Sequence, residues 1–170
     1  WFTDFPAYNG YPRTVIFHAR DAMTVVDMGP AGAVRKFDGQ NKIHRGVGEL
    51  LCTPAFTSIA YTDGYQGELA LGELRRRNYK RIGMLGAGAI PHRFVVQIEQ
   101  GLAGKTEIVD ATEWVDAIKA IKSEEEMVLI RRCAEMQDEI FARVYRKIKP
   151  GMRDNEVTAL AQYEGRLLGS

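Results

Sequence analysis

The chain has 170 residues, 45% of them hydrophobic and 26% charged, with a net charge of +1. That length can bury a real core in one compact domain with an appendage. The composition is that of an ordinary globular protein, with no overall field to draw nucleic acid or a membrane surface. No apolar run reaches membrane-span length and no leading stretch has the layout of a signal peptide, so the expectation is a cytoplasmic chain with neither partner. Two cysteines, Cys52 and Cys133, are too few and too far apart for a disulfide framework or a zinc site, and are expected to be buried thiols in a reducing cytosol.

Taken in order, residues 13–18 (RTVIFH) and Met23–Met28 (MTVVDM) are short β-branched runs with Asp21 between them, which predicts a hairpin. Residues 29–46 are polar, glycine-containing and aperiodic, so a loop is expected. Residues 47–52 predict a third strand, and 53–64 are turn-rich. Tyr65–Arg77 predicts a helix with Leu69, Leu71 and Leu74 inward and Arg75, Arg76 and Arg77 in the last turn, where cations suit the helix dipole. A strand over 81–85 follows, then a helix opened by Pro91 with Phe94, Val95, Ile98 and Leu102 on its apolar face. A strand over 107–109 and a short helix over 113–121 complete a strand–helix alternation. Such a pattern favours an α/β fold in which helices flank one mixed sheet.

Beyond residue 121 the pattern changes in kind. Ser123 and Glu126 have capping-box spacing, the serine serving one free amide and the glutamate another. The helix they open is expected to run to about Ile148, with Met127, Ile130, Ala134, Phe141, Val144 and Ile148 as one stripe, and Lys149-Pro150-Gly151 to stop it. Asp154 is expected to cap a second helix with Val157, Leu160, Ala161 and Leu168 inward. These features predict a domain over 1–121 and the opening of another over 122–170. The abrupt start at Trp1 and the stop after a helix lead to the expectation that elements are missing at both ends. Large side chains left without a sheet to cover them predict self-association through the two helices.

Few residues invite a chemical reading. The three histidines, His18, His44 and His92, share no metal-binding spacing, and His18 is expected to be a surface or capping side chain after its strand. Residues 85–91 (LGAGAIP) imitate a phosphate-binding turn, but the third glycine is absent and Pro91 removes a donor, so a structural turn is the better expectation and a nucleotide-binding domain the weaker one. Arg75–Arg77 with Lys80 and Arg81 lack interleaved aromatics and predict a solvated helix end.

Three phrases carry a resemblance. Residues 1–5 (WFTDF), 118–132 (IKAIKSEEEMVLIRR) and 148–157 (IKPGMRDNEV) resemble stretches of the creatinase, aminopeptidase P and prolidase family. The last resembles its I-x-P-G-x-x-E-x-E-V joint, with Arg153-Asp154 where the family often has Thr-Glu. The resemblance implies an N-terminal α/β domain followed by the first two helices of a pita-bread catalytic domain. It further implies a parent enzyme that uses two divalent metals (manganese, cobalt or zinc) to cleave C–N bonds of Xaa-Pro peptides or small amides. The metal ligands of that family lie beyond the second helix, so this chain is expected to hold none and to be inactive alone. A non-catalytic assembly module is the alternative, and a homodimer is implied. In the family the loop corresponding to residues 5–13 (FPAYNGYPR) can approach a dimer partner's pocket. There Arg13 would grip a substrate carboxylate and Tyr8 and Tyr11 would wall the site; an ordinary turn built on Asn9-Gly10 and Pro12 is the competing expectation.

Overall fold

The computed structural model describes residues 13–42, 44–54 and 64–169. Tyr8 and Tyr11, and most of the turn-rich 53–64 stretch, lie outside them. The chain divides into two compact units, Trp1–Val115 and Asp116–Ser170.

The first unit is built on a four-stranded sheet. Strand β1 (Thr14–Ile16) runs antiparallel to β2 (Met23–Met28), which forms the expected hairpin. β2 then runs parallel to β4 (Val47–Thr53), and β3 (Val34–Lys36) adds antiparallel to β4, giving the order β1-β2-β4-β3. β3 corrects the expectation of a loop across 29–46. Its three residues are all exposed, so no apolar alternation marks it, and glycines and a proline on the N-terminal side hide it further.

β2 is central and buried on both faces. Val26 meets Ile16, Ala70, Leu71, Ile98 and Leu102, the last four from helices α1 (Tyr65–Arg77) and α2 (His92–Leu102). On the other face Val25 joins Met23, Val47, Leu50 and Cys52, covered by Val15, Ala33 and Phe37. Alternate residues of one strand thus feed two cores, as the pleat requires. α1 has the predicted bounds, and Asn78 ends it in the left-handed conformation at φ 53°.

The mixed α/β class stands, but the sheet is not continuous. Among the described residues β5 (Arg81–Met84) and β6 (Glu107–Asp110) form a separate parallel pair. Ile82, Met84 and Ile108 pack on the same core as α1 and α2, so this pair is held by side chains rather than by a shared ladder. Helix α3 (Thr112–Ala120) follows, and the division between units falls inside it.

The second unit is a pair of helices in contact, α4 (Glu124–Lys147) and α5 (Asp154–Leu168). The capping box is present at α4: Glu126 N–H donates to Ser123 Oγ at 3.2 Å and Ser123 N–H to Glu126 Oε2 at 2.8 Å. At α5 the cap is Arg153, not Asp154, which is already helical. The reason is that Glu156 reaches back to accept from Arg153 N–H at 2.7 Å. A guanidinium has no acceptor to return the favour, so only half of a box forms. Glu164 and Gly165 of α5 are buried, while Ile130, Phe141 and Tyr145 on α4 and Ile148 just past its end stay exposed.

Candidate functional site

A buried polar cluster of the first unit lies where β1, β2 and α1 meet. His18 stands two residues past β1 and is only 3% exposed, which corrects the expectation of a surface histidine. Thr24, on the α1 side of β2, is fully buried. Glu73 falls four residues after Leu69 and three after Ala70, so the period of α1 turns it inward, where it is 4% exposed. Tyr79 follows the turn made by Asn78.

These four side chains form one hydrogen-bonded chain. Tyr79 Oη lies 2.8 Å from His18 Nδ1, His18 Nε2 lies 2.9 Å from Thr24 Oγ1, and Thr24 Oγ1 donates to Glu73 Oε1 at 3.4 Å. A carboxylate only accepts, so Thr24 must spend its proton on Glu73 and accept from His18. His18 then carries its proton on Nε2 and accepts from the Tyr79 hydroxyl at Nδ1. Every donor in the line points toward Glu73, and the line is complete with a neutral imidazole. Burial accordingly lowers the His18 pKa, and the nearby Arg77 guanidinium lowers it further.

Glu73 is clamped from the helix end. Arg76 reaches Oε2 through Nε at 2.7 Å and Oε1 through Nη2 at 2.8 Å, and Arg77 Nε reaches Oε1 at 2.8 Å. Burial pushes this carboxyl up, but the bonds from Arg77 and Arg76 outweigh burial and hold it below its usual range. Arg77 also pairs with Asp21, Arg76 with Glu49 at 3.1 Å, and Arg75 donates to the Gly101 carbonyl at 3.0 and 3.2 Å. Arg75 and Arg76 remain exposed, as a solvated helix end requires, but the run is also bonded into the fold. It binds α1 to its own inner face, to β4, to the β1–β2 turn and to α2. An open groove of about 260 Å³ adjoins the cluster, lined among others by Asp21, Lys36, Glu49, Arg76 and Arg77. Its cations largely face carboxylates already, so the arrangement is suited to bracing and not to transfer chemistry.

Arg13 is the one predicted binding residue within the described region. It pairs with Asp27 of β2, Nε at 2.8 Å and Nη2 at 2.6 Å from the same carboxylate oxygen. At the glycine turn, Gly86 N–H donates to Thr112 Oγ1 at 2.9 Å, and the amides of Ala89 and Ile90 donate to Gly86 and Ala87. Those amides are spent inside the chain, which leaves little for an anion.

The two-metal centre implied by the resemblance does not fit the described residues. None of them gather as three or more histidine, cysteine, aspartate or glutamate side chains able to hold a metal ion. The buried carboxylates show the physical reason. Glu73 faces two guanidiniums, Asp27 faces Arg13, and Glu164 faces Lys147 and, at 3.5 Å, Arg143. Side-chain cations already stand where a metal cation would have to sit.

The fold is one shared with solved Xaa-Pro peptidases. An Xaa-Pro dipeptidase from Bacillus anthracis superposes with a TM-score of 0.64 at 14% identity, over 96% of this chain and 41% of that one. An X-Pro aminopeptidase from Thermotoga maritima MSB8 gives 0.60 at 16% identity, over 89% and 38%. The chain thus spans about two fifths of the length of either structure. No protein-family model and no curated protein matches the sequence. The resemblance to prolidase-type enzymes read from three short phrases is present in the fold. No helix among the described residues is long and apolar enough to cross a membrane.

Proposed function

We propose that this chain is the α/β portion and leading helix pair of a metal-dependent hydrolase that cleaves Xaa-Pro peptides or a related small amide. In this reading it shapes and supports the enzyme, while residues outside it hold the metals. One observation carries this: the superposition covers nearly the whole chain but only 41% of the dipeptidase. The cation-filled carboxylate sites support the same division of labour. Within this reading Tyr8, Tyr11 and Arg13 face a dimer partner's pocket, and a substrate carboxylate would have to displace Asp27 from Arg13. The test is an assay of the purified 170-residue chain on Xaa-Pro dipeptides with added manganese, cobalt or zinc. No metal-dependent turnover is expected; turnover that co-purifies with this species overturns the reading.

A non-catalytic assembly role is a second reading, and the exposed apolar side chains of α4 favour it.

A further inference from the structure

We propose that the line Tyr79–His18–Thr24–Glu73 is a proton-operated latch: one proton taken up by His18 reverses it and releases Tyr79 and the β1–β2 turn from the end of α1. This goes beyond the hydrolase reading and does not depend on it. His18, Thr24 and Glu73 are buried inside the first unit itself.

The line joins two parts of that unit which share no ladder. His18 and Thr24 belong to the β1–β2 hairpin, Glu73 to α1, and Tyr79 leads into β5. Tyr79 is anchored on the far side as well. Its carbonyl accepts from Thr106 Oγ1 at 2.8 Å, and the next carbonyl, of Lys80, accepts from Glu107 N–H at 2.9 Å. Among the described residues its hydroxyl bonds to His18 Nδ1 alone.

A proton can enter only at Nδ1, because Nε2 already carries one. An imidazolium donates from both nitrogens. Nδ1 then turns from acceptor to donor, and Tyr79 Oη from donor to acceptor, so the hydroxyl proton must find water. The same step adds a charge. The charged groups facing His18 are Glu73, Arg76 and Arg77 of α1 and Asp21 of its own turn, while Thr24 and Tyr79 touch it with neutral hydroxyls. Two carboxylates and two guanidiniums already balance, so the imidazolium is a surplus cation in a dry place. Glu73 lies 3.8 Å from Nε2, but both its oxygens are held by Arg76 and Arg77. Relief has to come from water, and the open groove lined by Asp21, Thr24, Arg76 and Arg77 adjoins the line. The other tie between the turn and α1 is the pair Asp21–Arg77, which borders that groove and is more than half exposed on its Asp21 side. An exposed pair of this kind holds weakly.

Hydrogen exchange and ring-nitrogen shifts of the labelled 170-residue chain, read by nuclear magnetic resonance, test this. At neutral pH the His18 ring should carry its proton on Nε2. The amides of Asn78, bonded to Leu74, and Glu107, bonded to Lys80, report the latch. They should exchange faster than the amide of fully buried Val26 and with little dependence on urea, since a local opening exposes little surface. Below about pH 6.5 their protection should fall, by no more than about tenfold per pH unit, the limit for one proton. His18→Gln should abolish that fall. Tyr79→Phe should leave both amides weakly protected at neutral pH already. A neutral ring protonated on Nδ1 overturns the direction of the line and the latch with it. Protection at Asn78 and Glu107 that ignores pH overturns the proposal, as does protection equal to that of Val26 with the same urea dependence. So does a fall that survives His18→Gln, or a Tyr79→Phe chain as well protected as the parent. None of these outcomes bears on whether the chain hydrolyses peptides, so each reading can fail separately.

Discussion

Glu73 shows how much one side chain can organise. It is almost fully buried, accepts from Thr24, Arg76 and Arg77, and so ties β2 to the end of α1. Replacing it by Ala leaves the buried Thr24 hydroxyl without that acceptor and strips each guanidinium of one of its two carboxylates, Arg76 keeping Glu49 and Arg77 keeping Asp21. The expected cost is about 3 kcal/mol, the low end for breaking a buried pair because Arg76 can turn to water; urea unfolding measures it. His18 and Glu73 also set a pH dependence with one sign. Both have folded-state pKa values below their ordinary ones. Below about pH 6.5 the unfolded chain binds a proton at His18 that the folded chain resists, so stability falls there. Below about pH 4.3 the same happens at Glu73, and the stabilisation from its clamp is lost as pH drops through its folded pKa. His18→Gln can keep both neighbours while removing the titration, so it should flatten the upper part of this slope, just below about pH 6.5. A variant with an unchanged slope there would show that another group titrates.

Elements were legible where period and caps agreed. α1, the β1–β2 hairpin and the Ser123 box follow from local pattern, and Ser123→Ala should cost about 1 kcal/mol in thermal unfolding. What escaped were carboxylates that occupy apolar positions. Glu73 continues the inner face of α1, and Glu164 lies seven residues after Val157 on the inner face of α5. In both cases the place in the period was a usable signal, and basic residues stood within reach. β3 escaped because its stability comes from β4 alone. Packing between α1 and α2 gives a paired prediction. A methyl group at Gly101 would collide with both methyls of Leu71, whereas one at Gly72 meets nothing within 4 Å. Gly101→Ala should therefore destabilise by about 1–3 kcal/mol despite better helix propensity. Gly72→Ala, in an open helix interior, should stabilise by about 0.5–1 kcal/mol. Equal effects at the two sites would contradict this helix contact.

At the scale of the whole chain, the order of strands and helices was readable but the number of sheets was not. β5 and β6 have the composition of strands that continue a sheet. Which ladder they join depends on long-range pairing, and no local pattern encodes that. The site was less legible still. The loop singled out from sequence contributes Arg13 to an internal ion pair, and the polar cluster that braces the first unit assembles from residues 18, 24, 73 and 79. Those positions are near in space only once the sheet and α1 have met.

β3 has a further consequence. Among the described residues it has a neighbour on one side only, so its other side presents unpaired amides and carbonyls. Such an edge is a template on which a foreign strand can grow. Here it is three residues long and carries Arg35 and Lys36, so two copies meeting edge to edge would bring four like charges together. That repulsion is screened within about 8 Å at physiological ionic strength and more tightly in strong salt. Prolonged storage at high salt should therefore slowly seed fibrils, read by thioflavin fluorescence, and Arg35→Thr with Lys36→Thr should seed them even at low salt. Two cations on a strand too short to be noticed in the sequence are then what keeps the sheet finite.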